Sequence, residues 1–413
     1  MNYKFSIITP EHDNKNMPFL LELYDTIKNQ TYDNWEWILY INGNCKLNDI
    51  PLEIKDDERV KLYNGLSSPN VGFIKNKAFF LGKGDILVEV DHDDLLRLDC
   101  LEKLNEAYQD LEIGFVYSDD LLYDMRGDEH KIPWNPENGW TYEWVEFRGE
   151  KFIKIDSFPP SCHSMGIIWY APDHVRSWRR EVYHKVGGHD PDLNICDDHD
   201  LVMRTYLETK FSFIPEILYY YRFLPEGNNT QLIRTDSIQI KTFELFHKYG
   251  QHLAERDADL NNLLKVNLSG EYYPKSGYIN LTSEDCNLNE GLPYEDNSVG
   301  VINAIHILQT VKDKTKIMGE IYRVLCDGGW AFIEVPSTDG RGAFQDPTHV
   351  SYWNENSFWY YTRKEKANYI KNFDIKFQEF RLETNWWEDN IASTTAWLCA
   401  IKSNSKRPHP VRI

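Results

Sequence analysis

The feature that most constrains this chain is the alternation of strand and helix signals over its first ninety residues. Residues 5–9 read as a strand that stops at Pro10, and residues 17–29 carry helical periodicity. A second strand, 35–41, ends at the turn signal Asn42-Gly43-Asn44. A short strand at 60–63 follows, then a helix over 70–81 closed by Gly82-Lys83-Gly84-Asp85, then the apolar strand 86–90. That order requires a parallel sheet with right-handed crossovers, so the fold class is α/β with a Rossmann-like first half.

The strand 86–90 runs into Asp91-His92-Asp93-Asp94. In open α/β sheets ligands bind at the carboxyl ends of strands. Three carboxylates so close together repel one another unless a positive charge compensates, and a hard divalent cation with oxygen ligands is the usual answer. Taken alone, the same residues could be a helix N-cap or an acidic loop.

The chain has 413 residues, enough for two domains, and is 41% hydrophobic and 14% aromatic, enough for full cores. Most of its 13 Trp and 25 Tyr are expected in those cores, although aromatic faces also suit sugars. A formal net charge of −20 argues against a nucleic-acid backbone or an anionic membrane as partner. The densest basic patch is 176–180. Seven scattered cysteines with no CxxC spacing argue against a disulfide framework or a structural zinc site and suit a reducing compartment. The N-terminus reads as a strand entry and not as a signal peptide, and no apolar run reaches membrane-spanning length, so the expected location is cytoplasmic.

From 115 to 235 the pattern is less regular, with strands clearest at 211–214 and 217–222. A helix is expected at 238–249, and 250–262 reads as helix or linker. A second α/β series opens at 264: strands at 264–268, 299–304, 328–335, 375–382 and 394–401, with a helix at 314–325. The expected domains are therefore 1–250 and 264–413, with a linker at 251–263, and a frayed tail at 403–413.

The ordered motifs of the first half resemble family 2 glycosyltransferases of the GT-A fold. They are Phe5-Ser6-Ile7-Ile8-Thr9-Pro10, Asn70-x-Gly72 with Lys75-Asn76 and Ala78, and Gly84-Asp85-Ile86-Leu87 leading to Asp91-x-Asp93-Asp94. Gly187-Gly188-His189-Asp190, Asp197-Asp198-His199-Asp200-Leu201-x-x-Arg204 and Tyr219-Tyr220-Tyr221-Arg222 complete the series, which covers about residues 1–235.

The resemblance implies a nucleotide-diphosphate sugar donor and a Mn²⁺ or Mg²⁺ ion, which stabilises the charge growing on the diphosphate as the sugar leaves. It makes Asp93 the direct metal ligand, puts Asp91 on the ribose or a metal-bound water, and lets Asp94 brace them. Thr9, Pro10, Glu11, Asn42, Asn70, Lys75, Asn76, Asp91 and His92 are the implied donor-binding residues. Asn42 stands where the family often has an Asp that reads uracil, and Ile41 replaces its acidic neighbour. An amide can still pair with a base, so the expected donor is a UDP-sugar. Asn42-Gly43 taken alone could equally be a tight turn.

The second acidic cluster maps Asp198 onto the family's general base, with Asp197 before it. Base and metal on opposite faces of the sugar imply a single displacement with inversion. Without the other motifs, these carboxylates could simply start a helix. Trp178, Arg179, Arg180, Gly188 and Arg222 are the implied acceptor or diphosphate contacts, the alternative for the first three being surface charge and a packed indole. The histidine that relatives carry after the Tyr-Arg motif is missing near Leu224-Pro225, leaving His163 or His199 as substitutes.

Residues from 264 resemble class I methyltransferases, through 292–299, Glu320-x-x-Arg323-Val324-Leu325, Gly328-Gly329 and Asp346-Pro347-Thr348-His349-Val350. The nucleotide loop departs from that pattern: Ser269 and Glu271 occupy glycine places, Thr282 replaces the ribose-binding acid, and 306–310 is altered. The expectation is a Rossmann-like domain that kept its fold and lost S-adenosylmethionine, serving in packing, homo-oligomerisation or acceptor binding. The function expected overall is an inverting, metal-dependent glycosyltransferase acting on a glycan or other hydroxyl acceptor. The alternatives are a bifunctional glycosyltransferase–methyltransferase and a non-catalytic sugar-binding protein.

Overall fold

The computed structural model describes residues 1–123, 141–147, 149–157, 159–167, 172–222, 230–370 and 374–402. The tail 403–413 and Leu224-Pro225 lie outside the described residues. The chain divides into two compact units, one of 1–160 with 167–246 and one of 161–166 with 247–413.

The first unit holds strands β1 (Phe5–Glu11), β2 (Trp35–Ile41), β3 (Val60–Asn64), β4 (Ile86–Glu89), β5 (Leu95–Leu96), β6 (Ile113–Tyr123), β7 (Tyr142–Phe147), β8 (Glu150–Ile155), β9 (Arg176–Arg179) and β10 (Lys210–Arg222). They form one sheet in the order β3-β2-β1-β4-β9-β6-β10-β5, with the β7–β8 hairpin attached to β6. The β1–β4 strands run parallel, as the alternation requires. Their apolar runs are continuous because both faces are covered. Phe5, Ile7, Trp37 and Val88 enter one core, and Ile8, Ile38, Tyr40 and Leu87 enter the other.

Three readings of the middle region change. The two strands at 211–214 and 217–222 are one strand, β10, whose pairing with β6 shifts between Ile214 and Ile217. Pro215 sits at that shift and has no N–H to give the ladder. The patch 176–180 is no surface patch: its first four residues are β9, an interior strand antiparallel to β4 and β6, with Arg176 and Arg179 both buried. Residues 251–260, assigned to a linker, are the end of the helix Thr230–Leu260. Leu253, Ala254 and Ala258 are buried on it, which a solvated linker would not provide.

The second unit has strands β11 (Leu264–Asn267), β12 (Ile279–Asn280), β13 (Val299–Ile305), β14 (Leu325–Pro336), β15 (Phe377–Trp386) and β16 (Ala392–Ala400). Their order is β12-β11-β13-β14-β16-β15, with β11 to β14 parallel and the last two antiparallel. This is the expected Rossmann-like, methyltransferase-type sheet.

Glycines of the first unit mark close approaches that place the candidate site. Gly72 lies in the helix Val71–Phe79, and its N–H donates to the Leu193 carbonyl. A Cβ there would stand 2.0 Å from the Asp190 carbonyl oxygen. Gly72→Ala is therefore expected to force this helix off the 190–193 turn and cost about 1–3 kcal/mol of stability, read by chemical denaturation. A neutral effect would show that the turn yields freely.

Candidate active site

Several separate segments converge on one cavity of about 490 Å³ in the first unit. Pro10 and His12 come from the end of β1 and Asn42 from the end of β2. Ser68, Pro69, Val71, Ile74 and Lys75 come from the third connection, and Asp91–Asp94 from the turn after β4. Asp197 and Asp198, with residues 194–196, close the far side, and Tyr221, Arg222, Arg234 and Ile238 complete the wall. Strand ends supply most of the lining because the four parallel strands all end on the same rim.

The acidic turn is held by β10. The Asp91 N–H donates to the Tyr219 hydroxyl (3.2 Å), which donates to Asp94 Oδ2 (2.7 Å). The Arg222 N–H donates to Asp94 Oδ1 (2.7 Å), and Arg222 Nε donates to the Asp93 carbonyl (2.7 Å). Asp94 thus holds backbone and hydroxyl groups, leaving Asp91 and Asp93 facing the cavity. Burial, together with the charges of Glu89 and Asp93, pushes the Asp91 carboxyl up despite Lys75. Two adjacent carboxylates, one raised by its neighbours, form an all-oxygen donor set that fits Mg²⁺ or Mn²⁺.

Behind the cavity lies a buried ion network. The β4–β9 register sets Glu89 directly opposite Arg176, so their side chains share one face. Arg176 Nε lies 3.0 Å from Glu89 Oε2, and its Nη1 donates to Asp198 Oδ2 at 2.8 Å. Lys75 Nζ pairs with the other Glu89 oxygen and lies 3.9 Å from Asp91. Burial alone would push the Glu89 carboxyl up, but Arg176 and Lys75 outweigh it and hold it far below the usual range.

The adjacent carboxylates of the pair titrate in opposite directions. Burial pushes Asp197 up to about 7, with Asp198 and Glu89 adding to the effect against Lys75. Asp198 is equally buried, yet the Arg176 guanidinium and Lys75 bring it below its ordinary value. Near neutrality Asp198 is the ionised member. Both stand in the first turn of the helix Asp197–Glu208, entered from Cys196 in a left-handed conformation (φ 57°). They therefore start a helix and also line the cavity. Asp200 faces away and pairs with Arg204 Nε at 2.9 Å.

Several residues named from sequence lie elsewhere. Trp178 is fully buried, donates to Thr205 Oγ1 (3.1 Å) and packs edge-on against Phe79 and Phe115. Arg179 donates to the carbonyls of Ile113, Tyr108 and Asp110. The backbone of Arg180 bonds to Asp85 at the start of a short helix. None of these three lines the cavity. Alternation along β9 aims Arg176 at the site and turns Arg179 to the opposite face. Gly188 is a structural turn: its φ is +68°, and a Cβ there would meet the Tyr183 ring at 2.6 Å.

Thr9 accepts from Trp37 Nε1, Asn70 Nδ2 donates to the Pro191 carbonyl, and Asn76 Nδ2 donates to the His189 carbonyl. These three support the cavity without lining it. Glu11 is buried beneath it, with Oε1 accepting from the N–H groups of His12 and Asp13 and from Asn16 Nδ2. His163 belongs to the second unit, near Gln378 and Phe380, and His199 is buried in the helix below Asp198, so neither lines the cavity.

Sequence reasoning missed Glu89, Arg176 and His12 as site residues. A lone acid inside the apolar run 86–90 was the available signal for Glu89. Arg176 gave none, because its strand was unreadable from the pattern.

The comparisons with known proteins are consistent with this division of the chain. A family model described as a methyltransferase domain matches residues 243–333. The O-antigen biosynthesis protein RfbC of Myxococcus xanthus is 25% identical over 259 residues, covering 61% of this chain and 18% of that protein. Glycosyltransferase GlyG of Streptococcus pneumoniae is 27% identical over 296 residues, covering 69% of this chain and 93% of that protein. The chain thus spans less than a fifth of the first relative's length and nearly all of the second's. Among solved structures, residues 1–349 of S. aureus TarS in complex with UDP-GlcNAc align with a TM-score of 0.45 at 14% identity, covering 63% of this chain and 72% of that one. The mannosyltransferase PcManGT of Pyrobaculum calidifontis, in complex with GDP-Man and Mn²⁺, aligns with a TM-score of 0.43 at 15% identity, covering 63% and 75%. The chain is thus similar to a curated glycosyltransferase, and residues 243–333 are similar to a methyltransferase domain.

Two outcomes are expected from the buried network. Arg176→Met strands two carboxylates and should cost about 3–5 kcal/mol, with Glu89→Gln in the same chain restoring part of it; a single-variant loss under about 1 kcal/mol would contradict the arrangement. Asp197 binds its proton more tightly folded than unfolded, so the folded chain loses stability as pH rises from the ordinary value of 3.8 to about 7. The Tm of Asp197→Asn relative to the parent should therefore climb between about pH 5 and pH 8. A gap that stays flat across that range would refute the raised pKa.

Proposed function

We propose that the chain is a glycosyltransferase that moves a sugar from a nucleotide-diphosphate donor to a hydroxyl acceptor, with a divalent metal and with inversion. The observation that carries this reading is one cavity lined by Asp91, Asp93 and Asp198 together. The similarity to GlyG supports the reaction class. The UDP-GlcNAc and GDP-Man named for TarS and PcManGT describe what those proteins bind.

On this reading Pro10, His12 and Asn42 form the base end of the cavity. Asn42 Nδ2 already donates to the Glu11 carbonyl (3.0 Å), so its side-chain oxygen is the group offered to a base, and uracil presents a matching N–H. Asp91 and Asp93 would hold the ion, which when bound offsets charge on the diphosphate. Asp198 takes the acceptor proton. Arg176 fixes one of its oxygens and keeps it ionised, and the protonated Asp197 beside it adds no second negative charge. Lys75 sits between Glu89 and Asp91 and orients the acidic turn.

The second unit keeps the sheet, and the side chains of its nucleotide loop bond to the unit's own backbone and side chains. Ser269 Oγ accepts from the Ile305 N–H (2.8 Å) and donates to the Ile305 carbonyl (2.7 Å), clamping the ends of β11 and β13. Asn267 Nδ2 donates to the Tyr273 carbonyl and to Asn280 Oδ1. These contacts, with Ser269 and Glu271 in the glycine places, support a reading in which this unit serves in packing, self-association or acceptor binding and not in S-adenosylmethionine chemistry. Calorimetry that detects S-adenosylmethionine binding would favour the bifunctional alternative. Among the described residues no helix is long and apolar enough to cross a membrane.

Asp198→Asn and Asp93→Asn are each expected to lower nucleotide release from a panel of nucleotide sugars with Mn²⁺ or Mg²⁺ by about 10²–10⁴-fold, with Tm little changed for Asp93→Asn and lowered for Asp198→Asn, which takes a charged partner from Arg176. Parent-like turnover in either variant would sink the assignment. Parent protein that binds donor without ever releasing nucleotide would leave the sugar-binding alternative standing.

A further inference from the structure

Beside the diphosphate end, a different set of donors meets at the base end of the cavity. Glu11, His12 and His92 each offer a ligand atom, and these atoms lie within 4.8 Å of one another. The sheet register explains why. The β1–β4 pairing runs from Phe5 opposite Ile86 to Ile8 opposite Glu89, and three more residues on each side bring Glu11 opposite His92. His12 follows directly, and the His12 and His92 rings meet edge-to-face with centroids 5.3 Å apart.

Among the described residues, two atoms of this group are buried without a hydrogen-bond partner. Glu11 is inaccessible to solvent, and while its Oε1 takes three donors, its Oε2 has none. His92 Nε2 is also buried without a hydrogen bond, with Asp93 Oδ1 4.0 Å away. A buried carboxylate oxygen and a buried ring nitrogen left unpaired are costly, and a shared cation satisfies both. The three donors to Oε1 fix the carboxylate's orientation, as outer-shell partners of a metal ligand do.

We propose that Glu11, His12 and His92 form a second cation site, selective for Zn²⁺ or a similar late first-row ion. One carboxylate and two imidazoles are a borderline donor set with a fourth position left open, whereas Asp91 and Asp93 offer only hard oxygens. Because His12 lines the cavity mouth beside Asn42, an ion here occupies the base end and competes with or anchors the nucleotide. The site stands independently of the reaction proposed above.

The test is Co²⁺ titration of chelator-stripped full-length protein, read by visible absorption, with Zn²⁺ displacement followed by calorimetry. Expected is one Co²⁺ per chain with the intense bands of four-coordination, displaced by Zn²⁺. His12→Ala and His92→Ala should each weaken binding at least about tenfold. Asp93→Ala should leave it unchanged. His12 is exposed, so His12→Ala does not threaten the fold. Three results overturn the site: no uptake, uptake that survives both histidine variants (an ion held by the free thiols), and uptake abolished by Asp93→Ala (the diphosphate ion).

Discussion

The first unit is organised around a buried guanidinium. Arg176 stands in an interior strand with Glu89 across the sheet and Asp198 above it, and neither carboxylate could be buried as an anion without it. The pairing is a matter of register, because β4 and β9 are antiparallel neighbours and Glu89 faces Arg176 directly. The last residue of β4 and the first turn of the helix Asp197–Glu208 are thereby tied to one cation. These two elements carry the acidic turn and the candidate base, so the same interaction that tolerates buried charge also ties them together.

The uneven placement of cations distinguishes two otherwise identical side chains. Asp197 and Asp198 are adjacent and both buried, but only Asp198 receives the guanidinium. Asp197 faces His189, whose own charging burial suppresses, pulling it down to about 3. A neutral acid beside a neutral imidazole leaves a single negative charge at that wall. Lys75 pairs with Glu89, lies 3.9 Å from Asp91 and lowers the pKa of both Asp197 and Asp198, so the two acidic clusters are coupled through one lysine.

The second unit separates what its sheet requires from what its loops do with their polar atoms. Its sheet core, with Val266, Ile302, Ala304, Ala331 and Ile333, needs only apolar strands in the right order. The loop after β11 needs backbone open to a ligand, yet here Ser269 and Asn267 spend their polar atoms on neighbouring strands. Gly270 is required for another reason, since a Cβ would lie 2.6 Å from the Asn280 carbonyl carbon.

By itself the sequence determined the α/β alternation, the strand that delivers Asp91 and Asp93, and the helix start that carries Asp197 and Asp198. These follow from local periodicity and turn chemistry, which depend on neighbours a few residues away. Only the tertiary structure decided that Arg176 and not Arg179 or Arg180 serves the site, that Trp178 is core, and that Glu89 anchors the network. It also decided that Glu11 meets His92. Each of these depends on which strands become neighbours and in which register, and pairing across about 80 residues leaves no periodic trace in the chain. A basic run such as 176–180 looks the same whether it faces water or fills a sheet interior; only its antiparallel insertion between β4 and β6 settles the matter.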